Sequence, residues 1–159
     1  MKKTFTITAD KAKSLYPSAS AELKKDLENT FGVKFLSEDI TDRIKTFNDA
    51  CIECGTTKKE FNKKWGNLGL SDDDIAYKQA KIIRTALNGK DYKPDWNDKN
   101  EKKWYPVFKM GSGFGFSCSL FVDRGTSANA GSRLCFKNEK LATHAGKQFP
   151  HIYKLLLTE

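Results

Sequence analysis

The sequence predicts an α+β protein in which an N-terminal helical lobe packs with a small three-stranded antiparallel sheet that a C-terminal helix closes. Three observations point there. Apolar residues recur at helical spacing through much of residues 20–89 and again after Asn138; residues 103–137 carry three strand-like runs separated by Gly and Ser; and the stretch between them, KDYKPDWNDKNEKK, is polar and holds Pro94 and Trp96. The expected division is a helical lobe at 1–89, a connector at 90–103, and a β-meander with its closing helix at 104–159, all sharing one core.

Taken in order, residues 4–8 (TFTIT) alternate as a short edge strand, and Asp10 is placed to cap a brief helix that ends before Pro17. Ser18 or Ser20 starts a second helix, with Leu23, Leu27 and Phe31 at four-residue spacing and Gly32 as its stop. From Ile40, the residues Ile44, Phe47, Cys51 and Cys54 form one apolar seam up to Gly55, which reads as a single third helix. Residues 57–65 form a short lysine-rich fourth helix, with Phe61 and Trp65 one turn apart. Ser71 followed by Asp72, Asp73 and Asp74 opens a fifth, because the acids sit at the positive end of the helix dipole, and Asn88-Gly89 closes it.

Strands are expected at 104–109, 114–122 and 132–137, with Gly111-Ser112-Gly113 as the first reversal and residues 123–131 as a loop. Strict alternation in the second strand puts Phe114, Phe116, Cys118, Leu120 and Val122 on one buried face. In the third, Leu134 and Phe136 point one way while Arg133, Cys135 and Lys137 point the other. Asn138 then caps a last helix with a stripe of Leu141, Ala145, Phe149, Ile152 and Leu156, which Pro150 kinks or restarts.

The composition bounds the function. A net charge of +8 makes a polyanion partner worth considering, since clustered lysines release counterions from phosphates. No apolar run spans a bilayer, and Lys2-Lys3 precedes strand-like sequence, so the expectation is a cytoplasmic protein with no membrane partner. Cys51 and Cys54 have CxxC spacing, but they fall inside a helical seam while Cys118 and Cys135 stand singly on strands, so four buried thiols are expected and no metal or disulfide. His144 and His151 lie two turns apart on the last helix, about 10 Å, too far to share a metal. No nucleophile, acid and base set is evident, so neither an enzyme nor a cofactor is expected. Gly111, Gly113 and Gly115 precede a strand, which argues against a dinucleotide loop, and Gly113-Phe114-Gly115-Phe116 lacks the basic and aromatic ends of an RNA-recognition motif.

Several blocks resemble a family of small, largely uncharacterised proteins from phages and prophages of Bacteroidota. They are IKTFNDAC from Ile44, ALNG from Ala86 leading to PDWN at Pro94, WYPVF from Trp104, GSRLCFK from Gly131 and AGKQF from Ala145. Thr126 to Ala130 and Pro150 depart from the family pattern. The resemblance implies a mobile-element origin, and hence a nucleic-acid-handling accessory, a virion component or an antagonist of host defence acting in a bacterial host's cytoplasm. It carries no catalytic residues.

Two surfaces are candidates for binding. One is the sheet's small-residue face, ringed by Tyr105, Lys109, Arg133 and Lys137, with Arg133 pairing to a carboxylate such as Asp123 as the alternative. The other is the lysine-rich helix with Lys58, Lys59, Lys63 and Lys64. The expected partner is DNA or RNA, and otherwise a host or virion protein.

Overall fold

The computed structural model describes residues 7–111, 113–122 and 132–158. It is α+β, and its contacts divide the chain into two units, Met1–Arg43 and Ile44–Glu159. The expected boundary at 90–103 falls inside the second unit, because the helix Asp72–Asn88 packs against the helix Pro150–Thr158 from beyond the sheet. The strand expected at 4–8 lies outside the described residues except for Ile7 and Thr8, which are not in a strand.

In the first unit, α1 (Ala9–Leu15) has Thr8 at its N-cap position, so Asp10, expected there, falls in the first turn instead. A 3-10 turn through Pro17 leads to α2 (Ala21–Phe31), where the Ser20 hydroxyl accepts the Leu23 amide, and Gly32 ends the helix at φ 82°, a conformation that favours glycine. The short α3 (Val33–Leu36) and α4 (Ile40–Arg43) follow. Ala12, Leu27 and Leu36 form the core, with Ile7, Tyr16, Ala19 and Phe31 around it. The Tyr16 hydroxyl donates to Glu28 and ties the 3-10 turn to α2.

The second unit holds α5 (Phe47–Glu53), α6 (Lys58–Trp65), α7 (Asp72–Asn88), β1 (Lys103–Lys109), β2 (Gly115–Val122), α8 (Glu139–Gln148) and α9 (Pro150–Thr158). The single helix expected from Ile40 to Gly55 is broken at residues 44–46. Thr46 and Asp49 form a capping box there, each satisfying the other's backbone amide, and this starts a new helix in the middle of the seam. The carbonyls released by the break find donors on α8: the His144 ring Nε2 to the Ile44 carbonyl at 2.6 Å, and Gln148 Nε2 to that of Lys45 at 2.6 Å.

Among the described residues the sheet has two strands where three were expected. β1 and β2 are antiparallel, and residues 132–137 contribute a 3-10 turn (Ser132–Leu134) and one bridge, Phe136 with Trp104. The reason is Asn88 at the end of α7. Its buried side chain donates to the Cys135 carbonyl at 2.9 Å and accepts the Lys137 amide at 3.0 Å, so the backbone groups on either side of Phe136 bond to an amide side chain. The strict alternation expected in β2 also fails. A bulge opposite Val107 and Phe108 shifts the register, so Phe116 and Ser119, three residues apart, both face α8: a Cβ on Gly146 would meet the Phe116 ring, and the hydroxyls of Ser119 and Thr143 bond at 2.9 Å. Cys118 and Leu120, expected on the buried face, are consequently exposed.

The core runs along α7, whose Ala76, Ala80, Ile83, Ala86 and Leu87 are buried, to Ile152 and Tyr153 on α9 and Ala142 and Ala145 on α8. Small residues on α7 and α8 let neighbouring elements approach closely. Pro150 does restart the final helix, with Phe149 buried at the joint.

Candidate functional site

The lysine-rich helix expected from the sequence is α6, and its four lysines are exposed. Thr57 caps it, accepting the Glu60 amide, while the Glu60 carboxylate turns back to accept the Thr57 amide at 2.8 Å and the hydroxyls of Thr56 and Thr57 at 3.0 Å each. Those hydrogen bonds, the Thr56 hydroxyl's first, hold the Glu60 carboxyl below the usual carboxylate range. The helix thus consumes its only acid at its own N-terminus. Phe61 is buried edge-on against Phe47 at 5.0 Å, which orients the helix and turns Lys58, Lys59, Lys63 and Lys64 outward, all exposed. Trp65 is half-buried between Lys64, 5.0 Å from its ring centre, and Lys78 of α7 at 4.4 Å.

The charge is unevenly divided. Residues 1–43 carry eight Lys and Arg against seven Asp and Glu, whereas residues 44–159 carry twenty against thirteen, so the second unit holds +7 of the net +8.

The other predicted surface does not form one face. Tyr105 lines a groove between β1 and α9, Lys109 is exposed at the end of β1, and Arg133 is exposed in the 3-10 turn. Lys137 donates its Nζ to the Asn88 carbonyl at 3.1 Å and so closes the C-terminus of α7. Cys135, expected beside Arg133 and Lys137, is fully buried. The groove, about 300 Å³ in volume, is apolar, lined among others by Tyr77, Phe108, Tyr153 and Leu156.

Sequence reasoning missed a polar network beneath the connector. Lys103, 1% exposed, donates to the Asp95 carbonyl, to the Asp98 carbonyl at 3.2 Å and to Glu101 at 3.0 Å, with its ammonium 5.5 Å from the Trp96 ring centre. Glu101 also accepts the Tyr92 hydroxyl and the Asp95 amide. The Arg84 guanidinium packs on Tyr92 at 5.1 Å, and its Nε donates to the Cys135 carbonyl. Burial raises both the Tyr92 phenol and the Cys135 thiol above their ordinary ranges. The paired Asp-x-Asn turns at 95–97 and 98–100 were the available signal.

Cys51 is buried and Cys54 half-buried, its thiol directed at the Ile82 carbonyl at 3.6 Å; Cys118 is exposed, against expectation. Burial pushes the Cys51 thiol up to about 11, with Cys54 adding to the rise and Lys58 opposing it. His144 is half-buried against the Ile44 carbonyl, and His151 is exposed in the first turn of α9. Among the described residues, no group of three or more His, Cys, Asp and Glu is placed to hold a metal ion, and no helix is long and apolar enough to cross a membrane. No family model matches the chain, and no curated protein or solved structure is significantly similar to it.

Proposed function

We propose that the second unit binds nucleic acid without reading its sequence and without catalysis, through the lysine face of α6. The phage or prophage accessory role implied by the sequence resemblance fits this reading. The observation that carries it is the arrangement of α6: four outward lysines, a tryptophan flanked by lysines, and a lone carboxylate withdrawn into the helix cap. Lysines of this kind neutralise phosphates, and an aromatic ring beside them offers a base a stacking surface.

Binding of single- and double-stranded DNA and RNA, measured by anisotropy across salt, tests it. Affinity is expected to fall by orders of magnitude between about 50 and 200 mM salt. Absence of binding at the lowest salt sinks the proposal. A second reading, association with a host or virion protein, draws on the apolar groove between β1 and α9 and on Leu157 beside it, which is 50% exposed.

A further inference from the structure

Two stretches about a hundred residues apart in sequence meet where α5 begins. The bonds from His144 and Gln148 to the carbonyls of Ile44 and Lys45 fix residues 44–46 against α8. The restart of the final helix at Pro150 brings His151 to the same place. Asn48 accepts the Lys58 amide at 3.1 Å, which draws in the first turn of α6.

Between these elements lies a pocket of about 280 Å³ lined by Lys45, Thr46, Asn48, Lys58, Gln148 and His151, with the rings of Phe47 and Phe149 as its apolar wall. No Asp or Glu among the described residues lines it. The carboxylates nearest in sequence are turned to backbone amides: Asp49 accepts those of Lys45 at 3.0 Å and Thr46 at 2.7 Å, and Glu60 that of Thr57. Lys45, Lys58, His151, Asn48, Gln148 and Thr46 thus line a concavity that no Asp or Glu among the described residues lines, with Gln148 donating its Nε2 to the Lys45 carbonyl at its edge.

We infer that this pocket seats a phosphate group. The inference rests on the nucleic-acid reading for the source of the phosphate, a strand's terminal phosphomonoester or an internal phosphodiester, while the chemistry of the pocket stands on its own residues. A phosphate presents acceptor oxygens and negative charge, and it matches a site that offers N–H and O–H donors and cations. Its volume is near the lower end of ligand pockets, roughly 300–1,000 Å³, room for a phosphate with the sugar that carries it. Lys58 belongs to both surfaces, so a strand held on α6 reaches the pocket without leaving the protein.

The test uses the full chain and three probes: inorganic phosphate, a short oligo(dT) with a 5′-phosphate, and the same oligonucleotide with a 5′-hydroxyl. Phosphate is expected to shift the amide resonances of Thr46, Lys58 and His151 saturably at millimolar concentration, and K45Q/H151Q to weaken that binding roughly tenfold with an unchanged melting temperature. Tighter binding of the phosphorylated oligonucleotide assigns the site to a strand end, and equal binding, weakened in K45Q/H151Q, assigns it to an internal phosphodiester. The absence of a saturable shift, or undiminished phosphate affinity in the variant, overturns the pocket. Loss of oligonucleotide binding in K59Q/K63Q alone then leaves the α6 reading standing. Phosphate binding that depends on Lys45 and His151, in a protein that binds no oligonucleotide, does the reverse.

Discussion

Lys103 and the lysines of α6 set the same side chain in opposite surroundings. Lys103 is enclosed by the Asp95 and Asp98 carbonyls, Glu101 and the Trp96 ring, whereas Lys58, Lys59 and Lys63 stand in solvent with no ion pair among the described residues. A buried ammonium needs several partners to offset its desolvation, and once they are in place it holds its loop in one conformation. An exposed ammonium keeps its charge available to a ligand and contributes little to the fold. The difference separates what stabilises the second unit from what it presents to a partner.

The largest effect should come from the enclosed lysine. Lys103→Met leaves Glu101 and two carbonyls without their cation and is expected to cost about 3–5 kcal/mol in urea unfolding. A loss below about 1 kcal/mol would make Lys103 no different from a surface charge. Next comes the amide that replaces a third strand. Asn88→Ala should cost about 2–3 kcal/mol, because the Cys135 carbonyl and the Lys137 amide lose a buried partner, and hydrogen exchange at the Phe136 amide should accelerate. If exchange there is unaffected, the bridge to Trp104 does not depend on Asn88.

A smaller effect is expected from pH at Cys51, the buried thiol on which Lys58 acts. Its folded value is raised from 9.0 to about 11, so the folded state holds its proton more tightly than the unfolded chain does. That contribution is fully present below about pH 9 and is lost as pH rises through about 11. Thermal unfolding across this range should show the decline, and Cys51→Ala should flatten it. An identical profile in the variant places the titration elsewhere.

The smallest stability effect belongs to the exposed face. Lys59→Gln with Lys63→Gln should change stability by no more than about 0.5 kcal/mol and reduce the salt slope of nucleic-acid binding by about 1.4 to 1.8, two phosphates' worth. A large loss of stability with an unchanged slope would reverse the comparison.

Much of the helical part was legible because local chemistry decides it. Thr57 with Glu60, the three acids after Ser71, Asn138, Gly32 and Gly89 mark helix ends through hydrogen bonds, charge at the helix dipole and backbone angles within a few residues, and α2, α6, α7 and α8 fall where those signals put them, although the Ser71 side chain itself caps no amide of α7. The lysines of α6 could be named for the same reason, since Phe61 and Trp65 one turn apart already say which side faces inward. The capping box at Thr46 and Asp49 was equally local, but the apolar seam running through it masked the break.

What the sequence could not determine is where distant backbone groups find partners. Cys135 and Lys137 carry strand-like neighbours, yet their carbonyl and amide bond to Asn88, nearly fifty residues earlier, and that one side chain decides between a third strand and a single bridge. The bulge in β2 was invisible for a related reason: period-two alternation assumes an unbroken ladder, and the break shows only in the register against β1. The pocket beside α5 likewise exists only because His144 and Gln148 reach carbonyls a hundred residues away. Helix ends are fixed by contacts a few residues long, whereas strand pairing and concave sites are fixed by contacts between segments whose proximity only the folded chain establishes.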